Sequence, residues 1–438
     1  MKSRFLKTLA AATIASSALV SVAQAADSLY IPNLSYRTGP FGGNGIRVAN
    51  GYADYFNMLN ERDGGIGGVK VVVEECETGY NSQKGVECYE ATKGKGALVS
   101  SPWSTGITLQ LIPKAPVDKI PVLSMGYGLS AAAIGDQFPW VFNPPATYWG
   151  QMSAILGYIA KQSGGKDLSA LKGKKIGFIY LDAGYGREPL PMLEQLSAKY
   201  NFELLKVPVG VKEMQNQSSH WLTVRKEKPD WMIMWGWGAM NSTAVKAAIK
   251  VRYPMNRFIG NWWSSANVDT ESAGKAAKGY LGATYSAEGT SYPAVQDILK
   301  YVVAKGKSQV KDKGEVGTVL YNRGVVTAAF IAEAIRSAQK ISGKKVIDGS
   351  DMRKGLENVN MDEARIAQLG LKGATVPIKT TCADHAGSSP VIITQWDGEE
   401  VEQRHHDARE RRDRSSDAAC GAAKFVKENK GWQTQTCK

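Results

Sequence analysis

The sequence predicts an α/β fold of two lobes, each a doubly wound parallel sheet covered by helices. Three observations predict it. Short apolar runs alternate with segments of helical period from residue 28 onward. A second series of the same kind and similar length follows after residue 146. The turns after the predicted strands are rich in Gly, Ser, Thr and aromatic residues. Alternation of this kind argues for parallel strands with crossover helices, and no solenoid-type tandem repeat is present.

In the first series, strands are expected at 28–34, 69–75, 97–101 and 120–124. Helices are expected at 46–60, 82–93 and 105–117; the first carries Val48, Ala49, Tyr52, Phe56 and Leu59 at helical spacing. Gly64-Gly65-Ile66-Gly67-Gly68 lacks the spacing of a dinucleotide fingerprint and reads as a tight turn. The second series opens with helix 148–163. Strands then fall at 175–181, 202–209, 231–235, 258–261 and 279–286, with helices at 191–200, 220–226 and 242–251. Beyond residue 286 the chain turns helical, at 294–304, 321–340 and 351–358, before a strand at 391–396. The expected division is 26–145 with 287–380 for the first lobe, and 146–286 with 381–438 for the second. A solute in such a fold sits at the carboxyl ends of the strands.

The ends carry their own signals. Lys2, Arg4 and Lys7 precede the uncharged apolar stretch Leu9 to Val22, and Ala23-Gln24-Ala25 is a small-x-small cleavage signature. Residues 1–25 therefore read as a cleaved signal peptide, too short and weakly apolar to span a membrane. The mature chain is expected outside the cytoplasm, in the periplasm. The formal charge is +13, and the three leader cations leave an excess of 10 basic residues. These are scattered rather than striped, so nucleic acid is not an expected partner.

Five cysteines in an oxidising compartment point to disulfides. Cys76 and Cys88 bracket a short polar loop, and a bridge there contributes about 3 kcal/mol in the chain-entropy treatment. Cys382, Cys420 and Cys437 are an odd set whose pairing the sequence leaves open. Residues 399–417 are anomalous, with 12 of 19 being Asp, Glu or Arg. They read as a solvated helical or disordered insertion, or as a local change of reading frame. The adjacent His405 and His406 do not share a helix face, so no metal site is expected there.

Catalytic signatures are missing. There is no GxxxxGK[ST], HExxH or GxSxG, and of the four histidines His220 could serve as a base but nothing near it suggests a triad, so it reads as an ordinary helix residue. Neither enzyme activity nor a cofactor is expected. What stands out is a set of loops after strands: Ser35 to Gly39, Ser101 to Gly106, Ser124 to Gly128, Asp182 to Gly186, Gly236 to Ala239 and Trp262 to Ser264. Hydroxyls and free backbone N–H groups bind anions, and Trp and Tyr supply apolar walls with a polar edge. The candidate ligand-binding residues are Tyr36, Ser101, Trp103, Ser104, Thr105, Gly126, Tyr127, Gly128, Tyr185, Trp237, Trp262 and Asp269.

Four of these stretches carry a family resemblance. Leu34 to Pro40, Asn60 to Ile66, Lys119 to Ser124 and Asp182 to Gly186 resemble the periplasmic solute-binding proteins of branched-chain-amino-acid (leucine-binding-protein-like) ABC transporters. The resemblance runs roughly from residue 27 to residue 398. It implies a type I Venus-flytrap fold, with two lobes joined by three crossover strands and closing on a solute by hinge motion. It implies a monomer that delivers its solute to an ABC permease with ATPase subunits.

The resemblance also implies residue roles. Ser101 or Ser104 stands where the family places a hydroxyl for the solute carboxylate. Gly126 and Gly128 match the next loop, although its usual Thr is missing and Ser130 is nearby. Tyr185 and Trp237 match pocket aromatics. At Trp262-Trp263 the chain departs from the family, which places a carboxylate there for the ligand ammonium. A buried unpaired ammonium is costly, so a carboxylated aromatic solute is expected unless Asp182, Asp269 or Glu288 reaches in; the alternative reading is that these Trp residues pack the lobe interface and the ligand is an ordinary branched-chain amino acid. A ligand-sensing receptor and a secreted α/β hydrolase are the competing readings.

Overall fold

The five residues of β1 (Leu29–Asn33) are all buried, as a strand covered on both faces requires. The computed structural model describes residues 28–387, 391–399, 401–404 and 434–437. The segment expected to be a leader, and His405, His406 and Cys420, lie outside these.

Helix α1 (Gly42–Asp63) returns the chain to β2 (Val71–Glu75), which pairs with β1 in parallel. The expected strand at 97–101 makes ladder bonds at single points only. Parallel bridges join Asn33 to Ser101 and Ser100 to Val122, and so connect β1 to β3 (Val122–Leu123) and β4 (Val141–Phe142). Helix α2 (Ser82–Lys93) follows β2. The expected helix 105–117 is broken: α3 (Thr105–Leu111) ends early, and a separate turn of helix spans Ala115–Asp118. The reason is Pro113, whose missing N–H and bulky ring stop a helix.

Helix α4 (Tyr148–Gln162) opens the second lobe, capped by the Thr147 hydroxyl on the Gly150 N–H at 3.0 Å. The sheet that follows has seven strands. β5 (Lys175–Leu181) lies between β6 (Glu203–Val209) and β7 (Trp231–Trp235), and β8 (Phe258–Gly260) and β9 (Leu281–Thr284) extend it, all in parallel.

The chain then returns to the first lobe. Helix α5 (Val319–Ser342) is buried on nearly every side and packs along α1. A small antiparallel pair, β10 (Asn360–Met361) with β11 (Ile378–Lys379), follows. Residues 381–387 remain with the first lobe: Asp384 bridges to Ile134, and Asn143 N–H donates to the His385 carbonyl at 3.1 Å. Only at β12 (Ile392–Trp396) does the chain add to the second sheet, antiparallel to β9.

One expectation is corrected. Within the charged stretch expected to be helical or disordered, Val401–Arg404 forms β13 antiparallel to β12. An extended segment leaving the tight turn after Trp396 satisfies its backbone on an open sheet edge, which outweighs its charged composition.

Disulfides join Cys76 to Cys88 and Cys382 to Cys437, with Cα separations of 5.8 and 5.6 Å. The second fastens the tail at 434–437 to the first lobe, where Cys437 N–H also donates to Asp136 at 2.8 Å. Among the described residues, no helix is long and apolar enough to cross a membrane.

The α1–α5 contact depends on glycine at two positions. A Cβ on Gly51 would come within 2.0 Å of the Tyr321 carbonyl oxygen, and one on Gly324 within 2.2 Å of the Val48 carbonyl oxygen. The two backbones therefore touch directly. Gly324→Ala is expected to cost about 1–3 kcal/mol by overpacking, read as a lower urea midpoint. Gly94→Ala is the control: it sits at φ −71 with no atom within 4 Å of the added carbon. Equal midpoints for the two variants would refute the close-contact account.

Candidate ligand-binding site

The carboxyl ends of both sets of parallel strands face one another across a narrow cleft whose unfilled space, open solvent included, is about 230 Å³, with about 10 Å³ of it open to the centre of a water molecule. Its lining is Tyr36, Tyr80, Trp103, Thr105 and Tyr127 from the first lobe, and Tyr148, Tyr185, Trp237 and Trp263 from the second. Eight of these nine residues are aromatic. None bears a charge.

Local structure explains how each ring reaches the cavity. Tyr36 follows β1 and lies against α1, where a Cβ on Gly45 would collide with its ring at 2.4 Å. Tyr80 sits in the loop closed by the Cys76–Cys88 bridge. Tyr80 and Trp103 both adopt left-handed backbone conformations, at φ 60 and 51. The other non-glycine residues in that region end or follow helices. Such conformations are strained and persist only where surroundings enforce them. At Trp103 the enforcement is visible. Its backbone N–H donates to the Tyr127 hydroxyl at 2.9 Å and its indole N–H to Asn33 at 3.0 Å.

In the second lobe, Trp237 stands between Gly236 and Gly238 just after β7, and Trp263 follows β8. The Tyr185 hydroxyl donates to the Gly236 carbonyl at 3.0 Å and accepts from Asn261 at 2.8 Å. The rings pack edge to face, with Tyr36–Tyr80 centroids 4.8 Å apart and Trp237–Trp263 centroids 5.1 Å apart.

Six of the residues singled out in the sequence line the cavity: Tyr36, Trp103, Thr105, Tyr127, Tyr185 and Trp237. The other six stand behind the wall. Ser101 Oγ lies 3.3 Å from the Tyr127 hydroxyl. Ser104 caps α3 on the Ile107 N–H at 3.4 Å. The Gly126 carbonyl accepts both the Trp262 and Trp263 indole N–H groups, each at 2.6 Å. Gly128 N–H donates to the Thr105 hydroxyl at 3.2 Å. Trp262 is fully buried and stacks on Tyr148 with centroids 5.6 Å apart.

Asp269 does not reach the cavity. It accepts from Asn241 at 3.0 Å and from the Ala266 N–H at 2.9 Å, as its own helix's capping residue. Nor do the other two carboxylates considered: Asp182 pairs with Arg187 at 2.6 Å, and Glu288 accepts from Asn267. Sequence reasoning did not select Tyr80, Tyr148 or Trp263. The loop between the paired cysteines and the helix start after Thr147 were the available signals for the first two.

Among the described residues, two polar atoms of the lining lack a partner in close hydrogen-bonding geometry and are engaged only by a neighbouring hydroxyl: Tyr148 Oη by Thr105, and Trp237 Nε1 by Tyr36. Leaving such a group unsatisfied costs about 1–3 kcal/mol. An indole N–H only donates, so its partner must be an acceptor.

Behind Trp263 lies Arg323 from α5, fully buried. Its guanidinium donates to the Trp262 carbonyl, to Ser286 Oγ at 3.2 Å and to Thr284 Oγ1 at 3.0 Å. It lies over the Trp263 ring at 4.7 Å and the Tyr285 ring at 4.9 Å. At the lobe boundary the half-buried Glu188 of the second lobe accepts from the Ser130 N–H of the first at 2.8 Å.

The chain belongs to the periplasmic binding protein family, which it matches over residues 28–401. A solved structure described as an ABC transporter permease from the Pseudomonas fluorescens group is 37% identical. That match covers 94% of this chain and 100% of that one, with a TM-score of 0.86. A branched-chain amino acid ABC transporter from Thermus thermophilus with bound valine is 20% identical, covers 87% and 97%, and has a TM-score of 0.71. A solute-binding protein from R. palustris in complex with benzoate is 15% identical, covers 86% and 95%, and has a TM-score of 0.66. None of the curated proteins matches. The type I periplasmic binding protein fold is thus shared with structures of low sequence identity.

Burial pushes the carboxyls of Glu188 and Asp269 up to about 7. In an unfolded chain both titrate near 4. Between roughly pH 4 and pH 7 the folded state therefore binds more protons, and the contribution of each group to stability falls as pH rises through that window. Glu188→Gln and Asp269→Asn are each expected to flatten the fall in unfolding temperature between pH 5 and pH 8. An unchanged slope in both variants would show that neither carboxyl is proton-linked to folding.

Proposed function

We propose that this periplasmic binding protein is the extracytoplasmic substrate-binding subunit of an ABC importer of the branched-chain amino acid type, and that its lobes close on a small, flat, apolar carboxylate. It acts as a monomer in the periplasm and hands its solute to a permease driven by ATPase subunits. Its role is capture, without catalysis.

One observation carries the choice of solute. The cavity is walled by eight aromatic rings and Thr105, and no carboxylate lines it. A free amino acid would bury its ammonium with nothing charged to pair it, at a cost of several kcal/mol. The two weakly engaged donors of the lining favour the opposite charge. Trp237 Nε1 requires an acceptor, and Tyr148 Oη can supply a second donor. Flat rings bury the most area in a narrow slot between Tyr and Trp faces. The ligands bound in two structurally similar proteins, valine and benzoate, mark the two alternatives. The aromatic lining favours the second kind.

A thermal-shift screen tests this. Benzoate and related aromatic carboxylates are expected to raise the unfolding temperature, because a ligand at a hundredfold excess over its Kd adds about 2.7 kcal/mol to the folded state. Leucine and valine are expected to leave it unchanged. Trp237→Phe and Tyr148→Phe should each weaken carboxylate binding about tenfold or more, the range for losing a hydrogen bond to a charged group. A strong shift by valine with none by benzoate would overturn the assignment of solute class.

A further inference from the structure

An aromatic cage by itself does not choose the charge of its occupant. Eight rings without an anion form a good receptor for an organic cation, because each ring presents a negative π face. The same rings hold a neutral or anionic aromatic by stacking. The deciding charge lies one layer deeper, at Arg323.

We propose that Arg323 is the specificity-determining residue of this site, acting through Trp263 to admit anionic solutes and to reject cations. The inference rests on the reading of the cavity as the solute site. Four observations carry it. Arg323 is fully buried on a helix turn flanked by Gly324, Val325 and Val326. Its three hydrogen-bond acceptors, the Trp262 carbonyl and the Ser286 and Thr284 hydroxyls, are all neutral. Among the described residues no carboxylate is in ion-pair contact with it: Asp269 feels its field but is held by Asn241 and Ala266. Its guanidinium carbon lies 4.7 Å over the Trp263 ring, and Trp263 lines the cavity.

The physical consequence follows from these positions. A guanidinium stays charged in proteins. A buried, uncompensated cation destabilises a fold unless something else favours it. Here it sits where its field reaches the cavity through a single indole, in surroundings that screen it weakly. It also occupies one face of Trp263, so that ring is already engaged with a cation. A positive solute therefore meets repulsion, a neutral one meets indifference, and an anion supplies the missing countercharge.

The test uses three solutes of nearly the same planar shape that differ in charge: benzoate, benzamide and benzamidinium. Calorimetric titration of the full-length mature protein is expected to show benzoate binding at least tenfold more tightly than benzamide, and benzamidinium at least a hundredfold more weakly than benzoate. Arg323→Gln should reduce the benzoate-to-benzamide ratio tenfold or more and leave benzamide within about threefold of its original affinity. Arg323→Lys should keep the order of the three. A purely structural role for Arg323 would weaken all three solutes together and leave their ratios alone.

If the variants fail to fold, the unmodified protein still decides. Equal affinity for benzoate and benzamide would overturn the role of Arg323 and leave the aromatic reading standing. Binding of valine, with none of the three flat solutes bound, would overturn both.

Discussion

The Gly126 carbonyl, which accepts two indole N–H groups at 2.6 Å each, is the contact on which the rest of the site depends. It lies in the loop after β3, in the first lobe. Both indoles come from the loop after β8, in the second. One oxygen thus fixes the distance between the lobes and the orientation of two large rings. Only glycine serves at this position: the residue has φ +75, and a Cβ would meet Tyr285 at 2.9 Å. From this contact the remaining order follows. Trp262 is pressed onto Tyr148, and Trp263 packs under Arg323 and lines the cavity.

In the proposed function, the division of the lining between lobes would make solute binding and closure a single event. Five of its residues belong to the first lobe and four to the second. A solute that touches all of them binds the closed arrangement better than any open one. That differential affinity is what a ligand needs to shift a hinge equilibrium. Ser130 and Glu188 add a contact across the same boundary, as does the Trp149 backbone N–H, which donates to Ser130 Oγ at 3.4 Å, while within the second lobe the Trp149 indole N–H donates to the Glu188 carbonyl at 3.1 Å.

Much of the architecture was legible in the sequence because it rests on period and punctuation. Runs such as Trp231 to Trp235 are apolar over their whole length, and only a strand buried on both faces accommodates that. The loops of the site were legible for the same reason, since they follow those strands. What escaped was set by geometry that neither period nor spacing encodes. Trp262 and Trp263 are adjacent, and the turn between Asn261 and Ser264 decides which of them faces the cavity. Asp269 carries the right chemistry for an ammonium, but its own helix start uses it as a cap. Tyr80 enters through a left-handed backbone that no propensity favours. Arg323 looked like an ordinary cation in a helix, since burial on every side of α5 is a tertiary property.

The same reasoning explains why the departure at Trp262-Trp263 has consequences beyond the loss of a carboxylate. Removing an acid from a pocket leaves a neutral site, and a neutral aromatic site is open to many solutes. Here two indoles stand in its place, and both donate to Gly126, so neither is free to pair with a ligand. Their backbone and ring instead hold Arg323, through the Trp262 carbonyl and the Trp263 face. The position that resembles an ammonium-binding site has therefore become a mount for a buried cation. On the role proposed for Arg323, selectivity would come from the charge that the fold keeps dry, with the aromatic rings shaping what that charge can admit.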